Sequence, residues 1–231
     1  MTGLGKDYWK EVIGVLRSII PIYDKVNRAI SLGKDTQFRS RGIQGRVFPN
    51  NIVLDAGSGY GNMSQAALIE AQGKARIVMY DPLPEMLVNV KRYVDAPTAL
   101  LSGVFECMPF KDKSFDAVLC GYSLRDAIYL PQAISEIYRV LKSGGRLIVV
   151  DLGKPDAFLS RIFVSFYLRY ILGVLAFGVA GRSGLKFRTI YGTYLRLPKN
   201  TELQAMLAEK FSKIEFAKPL MGGAVIIAAY K

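Results

Sequence analysis

Two carboxylates and a run of glycines are the first residues of this 231-residue chain whose spacing could do chemistry. Asp55 ends the short apolar run Ile52-Val53-Leu54, and Gly57, Gly59 and Gly61 follow at alternate positions. That pattern reads as a buried strand breaking into a tight turn, where backbone N–H groups stay free and a ligand can approach the main chain. A carboxylate at the strand's end would repel a pyrophosphate, but it could hold a cationic or amino-bearing ligand through charge-assisted hydrogen bonds. About 20 residues past the glycines, a second run from Arg76 to Tyr80 ends in Asp81, where an acid commonly takes ribose hydroxyls. The glycines alone suit a dinucleotide or phosphate loop equally well.

Acid, glycines and second acid together suit S-adenosylmethionine. DAGSGYG followed by YDP resembles the cofactor motifs of class I S-adenosylmethionine-dependent methyltransferases, and later segments resemble more narrowly the ubiquinone/menaquinone C-methyltransferase family. That resemblance runs from about Tyr23 to the C-terminus. It implies a cofactor site of Asp55, Gly57, Ser58, Gly59, Ser64, Asp81 and Pro82, with the Phe105 amide at the adenine edge and Gly121 and Tyr122 at the end of a later strand. S-adenosylmethionine would be the cofactor, S-adenosylhomocysteine the product, and no metal is implied. Where many relatives carry an acid for the adenine amino group, this chain has Val104.

The PIYDKVN segment resembles the family's N-terminal motif and brings Tyr23, Asp24 and Asn27 toward cofactor or substrate, with Arg28, Lys34 and Arg39 as substrate-side or surface charges. Ser123-Leu124-Arg125-Asp126 resembles the family's Phe-Gly-Leu-Arg-Asn element, with Ser replacing Gly and Asp replacing Asn, so a carboxylate stands where an amide could donate. A quinol ring carbon becomes nucleophilic as its phenolic proton is lost or shared. The chain has no histidine, the commonest general base. Arg125, Asp126 and Tyr23 are the catalytic candidates, with Arg125 stabilising phenolate character directly or through a water, and Tyr23 or Tyr122 orienting the ring. The readings left open are another lipid or small-molecule acceptor, a structural salt bridge between Arg125 and Asp126, and a non-catalytic quinone- or lipid-binding scaffold.

These residues need strands and helices to hold them. Alternating strand and helix patterns predict an α/β, Rossmann-like class I methyltransferase sheet, mostly parallel, closed by a C-terminal antiparallel hairpin of Lys213 to Ala217 and Ala224 to Tyr230. Crossover helices are expected from Asn62 to about Gln72, with Ala66, Ala67 and Ile69 near the sheet, from Pro84 to about Tyr93, and from Leu130 to Leu141; strand five is Arg146 to Asp151. One domain of residues 1–231 is expected, with N-terminal helices over 1–45 and a helical cap insertion at about 155–200.

Residues 157–181 are the most apolar stretch. Arg161 and Arg169 divide it, leaving an uncharged run from Tyr170 to Gly181 that is too short to span a bilayer. It reads either as a mobile cap admitting an isoprenoid tail, with its arginines near anionic headgroups, or as a buried helix hairpin. The net charge of +12 would attract nucleic acid or an anionic membrane and does not by itself choose between them; the basic residues are scattered without a separate nucleic-acid module, which weighs against an RNA-binding methyltransferase, and the resemblance implies a quinol substrate with peripheral membrane contact. The amphipathic N-terminus reads as a helix and not a signal peptide, and Cys107 and Cys120 read as reduced, packed thiols, which together suit a cytoplasmic protein, peripheral on the membrane's inner face. Oligomeric state is not readable.

Overall fold

The computed structural model describes residues 2–31, 33–90 and 98–231. Its centre is a seven-stranded sheet: β1 (Ile52–Ala56), β2 (Arg76–Asp81), β3 (Thr98–Ser102), β4 (Phe115–Gly121), β5 (Leu141–Leu152), β6 (Lys213–Ala217) and β7 (Ala224–Tyr230). They lie in the order β3-β2-β1-β4-β5-β7-β6, and β7 runs antiparallel to both neighbours. The fold is therefore Rossmann-like, mostly parallel, with an antiparallel C-terminal pair. Strand order reverses between β1 and β4, and such a switch point opens a crevice beyond the strands' C-terminal ends. Asp55, Asp81, Gly121 and Tyr122 all sit at those ends.

Ten helices are described: α1 (Lys6–Ile19), α2 (Tyr23–Ile30), α3 (Lys34–Ile43), α4 (Asn62–Glu70), α5 (Pro84–Leu87), α6 (Leu130–Val140), α7 (Phe158–Phe166), α8 (Leu172–Ala180), α9 (Thr189–Arg196) and α10 (Asn200–Ala208). The central strands are apolar almost throughout because both sheet faces are covered. One face carries Leu54, Val118 and Leu147 under α6 and α10; the other carries Val53, Ala117 and Ile148 under α3 and α4. Pro21 ends the first helix, through a 3-10 turn from Ile20 to Ile22.

Several expectations need correction. Helix α4 stops at Glu70, short of Gln72, and Ile69 faces solvent because the sheet-facing row of that helix is Met63 and Ala67. The helix expected to run to about Tyr93 is the single turn α5, and residues 91–97 lie outside the described residues. Strand five begins at Leu141, five residues before Arg146. Cys107 is exposed, since it falls in the loop after β3 and not in a core strand, whereas Cys120 is buried.

Within the insertion after β5, the continuous helical run is longer than the uncharged stretch suggested. Arg161 and Arg169 do not end the helix: α7 continues through a π-helical turn, Tyr167–Ile171, into α8, then a 3-10 stretch, Gly181–Arg188, and α9. The run Phe158–Arg196 is 39 residues and contains an 18-residue window of mean hydropathy 1.9, long and apolar enough by composition to cross a bilayer. Its ends, however, are tied together. The Asn200 amide donates to the Lys154 carbonyl at 2.9 Å, and Lys154 Nζ donates to the Leu195 and Leu197 carbonyls. The segment thus leaves the sheet and returns to the same point, as a hairpin. Its inner row, Leu168, Leu172 and Ala176, packs on Val26, Ile19, Phe187 and Tyr194, while its outer row is exposed.

Candidate active site

The glycine corner follows from crowding as much as from turn geometry. Gly57 has φ 68°, and a Cβ there would sit 2.3 Å from Ser123 Cβ, so only glycine lets the β1 and β4 tips close on each other. Gly121 is constrained likewise: a Cβ would meet Met63 Cγ at 2.3 Å.

Asp55 is fully buried, and its Oδ2 accepts from the Ser64 amide at 3.0 Å and the Ser64 hydroxyl at 2.6 Å. Its Oδ1 has no partner among the described residues. Asp81 holds the corner from the next strand, accepting from the Gly59 amide through Oδ2 and the Leu83 amide through Oδ1, both at 2.8 Å. These two acids and the glycines line a cleft of about 870 Å³ counted to its mouth, together with Ser58, Pro82, Phe105, Gly121 and Tyr122. Ser64 does not line it and acts through Asp55.

The residues fit S-adenosylmethionine. A buried carboxylate oxygen without a donor needs a cation or N–H group, which an amino acid's ammonium supplies. Each Asp81 oxygen accepts only one backbone N–H and keeps a lone pair for a ribose hydroxyl. Helix α1 adds what periodicity alone did not reveal, a roof: Trp9, Ile13 and Leu16 line the same cleft. It is latched there by hydrogen bonds from the Leu4 and Gly5 amides to the Ala127 and Ile128 carbonyls, and from the Tyr60 hydroxyl to the Ile20 carbonyl.

A second cavity, about 1280 Å³ counted to its mouth, lies beside the cleft and is mostly apolar, with Ile30, Phe38, Val164, Leu168 and Leu172 among its walls. Tyr122 and Arg39 line both spaces. Tyr122 has φ 60°, a strained value for a residue with a side chain, and its ring lies under two guanidiniums, with Arg39 Cζ 4.9 Å and Arg125 Cζ 5.9 Å from the centroid. Burial pushes its hydroxyl up to about 12, so it is a neutral donor.

Of the three catalytic candidates, Tyr23 and Asp126 line the glycine-corner cleft and Arg125 lines the apolar cavity. Arg125 Nη1 donates to Asp151 Oδ1 at 2.9 Å, and its amide donates to Asp151 Oδ2 at 3.1 Å. Its Nε lies 3.6 Å from Asp126 Oδ1, an ion pair too long for a hydrogen bond. Burial pulls the Arg125 pKa down, but Asp126 and Asp151 push it up further, so the guanidinium stays charged. Burial raises the Tyr23 hydroxyl. Among the other residues placed toward the site, Asn27 and Lys34 line the cavity, Asp24 accepts from Asn62 Nδ2 at 3.3 Å, and Arg28 is exposed. Glu106 accepts from the Tyr129 amide and is a loop anchor.

Burial raises Asp55, Asp81 and Asp126 from the ordinary 3.8 to about 6. A carboxylate raised in this way holds its proton in the fold at pH values where the unfolded chain has lost it. Between about pH 4 and 6 the folded form therefore binds more protons, and the stability of the ligand-free protein falls as pH rises through that window. Glu215, held down to about 2 by Arg46 and Lys213, acts at lower pH with the opposite sign. Cofactor affinity runs against the stability trend, since only ionised Asp55 and Asp81 offer full acceptors. Thermal melts and calorimetry across that range should give a ligand-free midpoint that falls and a cofactor affinity that rises; parallel trends would refute the assignment.

Comparison with known proteins bears on this site. The model of the ubiE/COQ5 methyltransferase family matches residues 1–231. A demethylmenaquinone methyltransferase of Lactiplantibacillus plantarum is 34% identical over 155 residues, 64% of this chain and 65% of that one. One of Thermus thermophilus is 29% identical over 220 residues, 90% of this chain and 96% of the relative. Among solved structures, a Thermotoga maritima S-adenosylmethionine-dependent methyltransferase, described as a possible histamine N-methyltransferase, shares the fold with a TM-score of 0.62, 17% identity, and coverage of 94% of this chain and 99% of that one.

Proposed function

We propose that this chain, which belongs to the ubiE/COQ5 methyltransferase family, transfers a methyl group from S-adenosylmethionine to a ring carbon of an isoprenoid-tailed quinol. As a family member it is an S-adenosylmethionine-dependent methyltransferase. The acceptor reading is supported by the two relatives whose names make demethylmenaquinone the molecule methylated, and by the size and apolar lining of the second cavity.

The observation that carries the reading is the shared wall. Tyr122 and Arg39 face both the cleft and the cavity, so a methyl donor in one and a flat ring in the other meet across a single phenol and a single guanidinium. The cofactor, when bound, supplies an electrophilic methyl that needs no further activation; the chain has to align the ring and exclude water. Arg125, charged and nearly water-free, favours phenolate character in a ring oxygen placed in the cavity. Asp151 and Asp126 hold that guanidinium from two sides, and Tyr23 and Tyr122, both neutral, orient by donating hydrogen bonds. A long apolar tail makes the acceptor a membrane-dissolved molecule, and the chain works as a cytoplasmic protein, peripheral on the membrane's inner face.

Mass spectrometry of cellular quinones with and without the chain tests this directly. Its loss should leave a precursor one methylene lighter than the mature quinone. An unchanged quinone profile would refute the acceptor.

A further inference from the structure

Between Asp156 and Glu202 the chain has seven basic residues and no acidic one. Among the described residues none of the seven forms a salt bridge. Two of them, Arg161 and Arg169, stand two helical turns apart on the helix that runs from α7 into the π-helical turn, with Ser165 between them. Together with Lys154 and the rings of Tyr191 and Tyr194 they line an open groove. Backbone carbonyls and aromatic faces, and not carboxylates, hold the cations there: Lys154 Nζ donates to the Leu195 and Leu197 carbonyls and Arg161 Nη1 to those of Pro155 and Asp156, while Arg169 Cζ lies 5.3 Å from the Tyr170 centroid and 5.9 Å from that of Tyr191.

At about 3.6 residues per turn, the next row around the same helix is Ile162, Phe166 and Tyr170. These are exposed by 47%, 53% and 51%, and Val174 and Phe177 extend the row along α8. The row beyond that carries Phe163 and Tyr167, which with Leu220 and Met221 line the acceptor cavity. Phe163, Leu220 and Met221 are themselves exposed, which places them at the cavity's mouth. One helix thus presents a cationic groove, an apolar ridge and a cavity mouth side by side.

An exposed apolar stripe flanked by cations and free of acids matches the boundary between anionic headgroups and acyl chains. We propose that this face docks the chain on an anionic phospholipid bilayer, with lipid phosphates in the Lys154–Arg161–Arg169 groove and the acceptor cavity opening straight into the acyl layer. The inference rests on the reading of the acceptor as a tailed quinol and adds how it arrives: the tail enters beside Phe163 without crossing water, and the ring follows it toward Tyr122.

The test uses the full chain, vesicles of phosphatidylcholine with or without one third phosphatidylglycerol, and two acceptors, a short-tailed soluble quinol and a long-tailed one embedded in the vesicles. The parent should sediment with the anionic vesicles and be released by salt. Arg169→Glu removes one attraction and adds one repulsion, so partitioning should fall roughly 30-fold, while Arg169→Lys should bind like the parent. Ile162→Ser/Phe166→Ser should lose partitioning with its charge intact. Arg169→Glu and the double serine variant should methylate the soluble quinol at the parent's rate and the embedded one more slowly. Equal sedimentation with neutral vesicles, equal sedimentation of parent and variants, or binding of inorganic phosphate without vesicle binding would overturn the docking and leave the acceptor reading intact. Normal sedimentation with neither quinol methylated would overturn the acceptor reading and leave the docking supported.

Discussion

Replacing Asp81 by alanine is expected to weaken S-adenosylmethionine binding by roughly 100-fold or more, since a carboxylate accepting from two ribose hydroxyls contributes roughly 1.5–3 kcal/mol per charge-assisted bond. The same substitution frees the Gly59 and Leu83 amides that Asp81 now holds at 2.8 Å, so the glycine corner loses its brace as well as its ligand contact. It is not expected to unfold the protein. Burial already raises Asp81 to about 6, so at neutral pH its charge is held at a cost that alanine removes. Asp81→Asn, which keeps one acceptor, should fall between parent and alanine. Titration calorimetry checks both variants, and parent-like affinity in the alanine variant would remove Asp81 from the cofactor site.

Arg125→Ala should cost methyl transfer roughly 100- to 1000-fold with cofactor affinity unchanged, and it should also lower stability by about 3–5 kcal/mol. The second effect follows from burial: the Arg125 side chain is 8% exposed and that of Asp151 5%, so removing the cation strands a carboxylate away from water. A stability loss of this size would shift the melting midpoint by roughly 10 °C in a chain this long and could pass for a catalytic defect. The double variant Arg125→Leu/Asp151→Leu separates the two, because it removes the hydrogen-bonded pair together, while Asp126, which burial already raises to about 6, takes up a proton once the nearby guanidinium is gone. It should melt near the parent and still fail to transfer methyl. Parent-like turnover in the double variant would make Arg125 a purely structural ion-pair partner.

The residues that meet in the glycine-corner cleft were readable from residue order because their signals are local. A β-branched run ending in an acid, glycines at alternate positions and a second acid at the next strand's tip occupy one short stretch, and Asp55, Gly57, Gly59 and Asp81 line one cleft as expected. The apolar cavity depends on contacts between distant elements. Asp151 reads as the end of a strand; its role appears only once β4 and β5 align Gly121 with Val150, which sets Asp151 beside the chain leaving β4. Arg39 sits in the polar segment KDTQFRSRGI, and no periodicity marks it as 8% exposed and stacked over Tyr122. Helix α1 shows its amphipathic pattern plainly, but the pattern does not say that its apolar row covers a ligand cleft. The cap misleads for a related reason: runs of uncharged residues set the expected length, yet arginines whose cations reach carbonyl oxygens or aromatic faces do not interrupt a helix.

All of these assignments converge on one claim, that a methyl group passes from the Asp55–Asp81 cleft, across the wall made by Tyr122 and Arg39, to a ring carbon held in the apolar cavity. The most direct measurement is a single-turnover reaction of the purified chain with methyl-¹³C S-adenosylmethionine and a demethylated, tailed quinol, the product being read by carbon NMR. The account predicts labelled carbon bonded to the ring in equal amount to the S-adenosylhomocysteine released, with little product from a Tyr122→Ala variant that still binds cofactor. Label found on a quinol oxygen, or cofactor bound at full affinity with no label leaving it, would contradict the account.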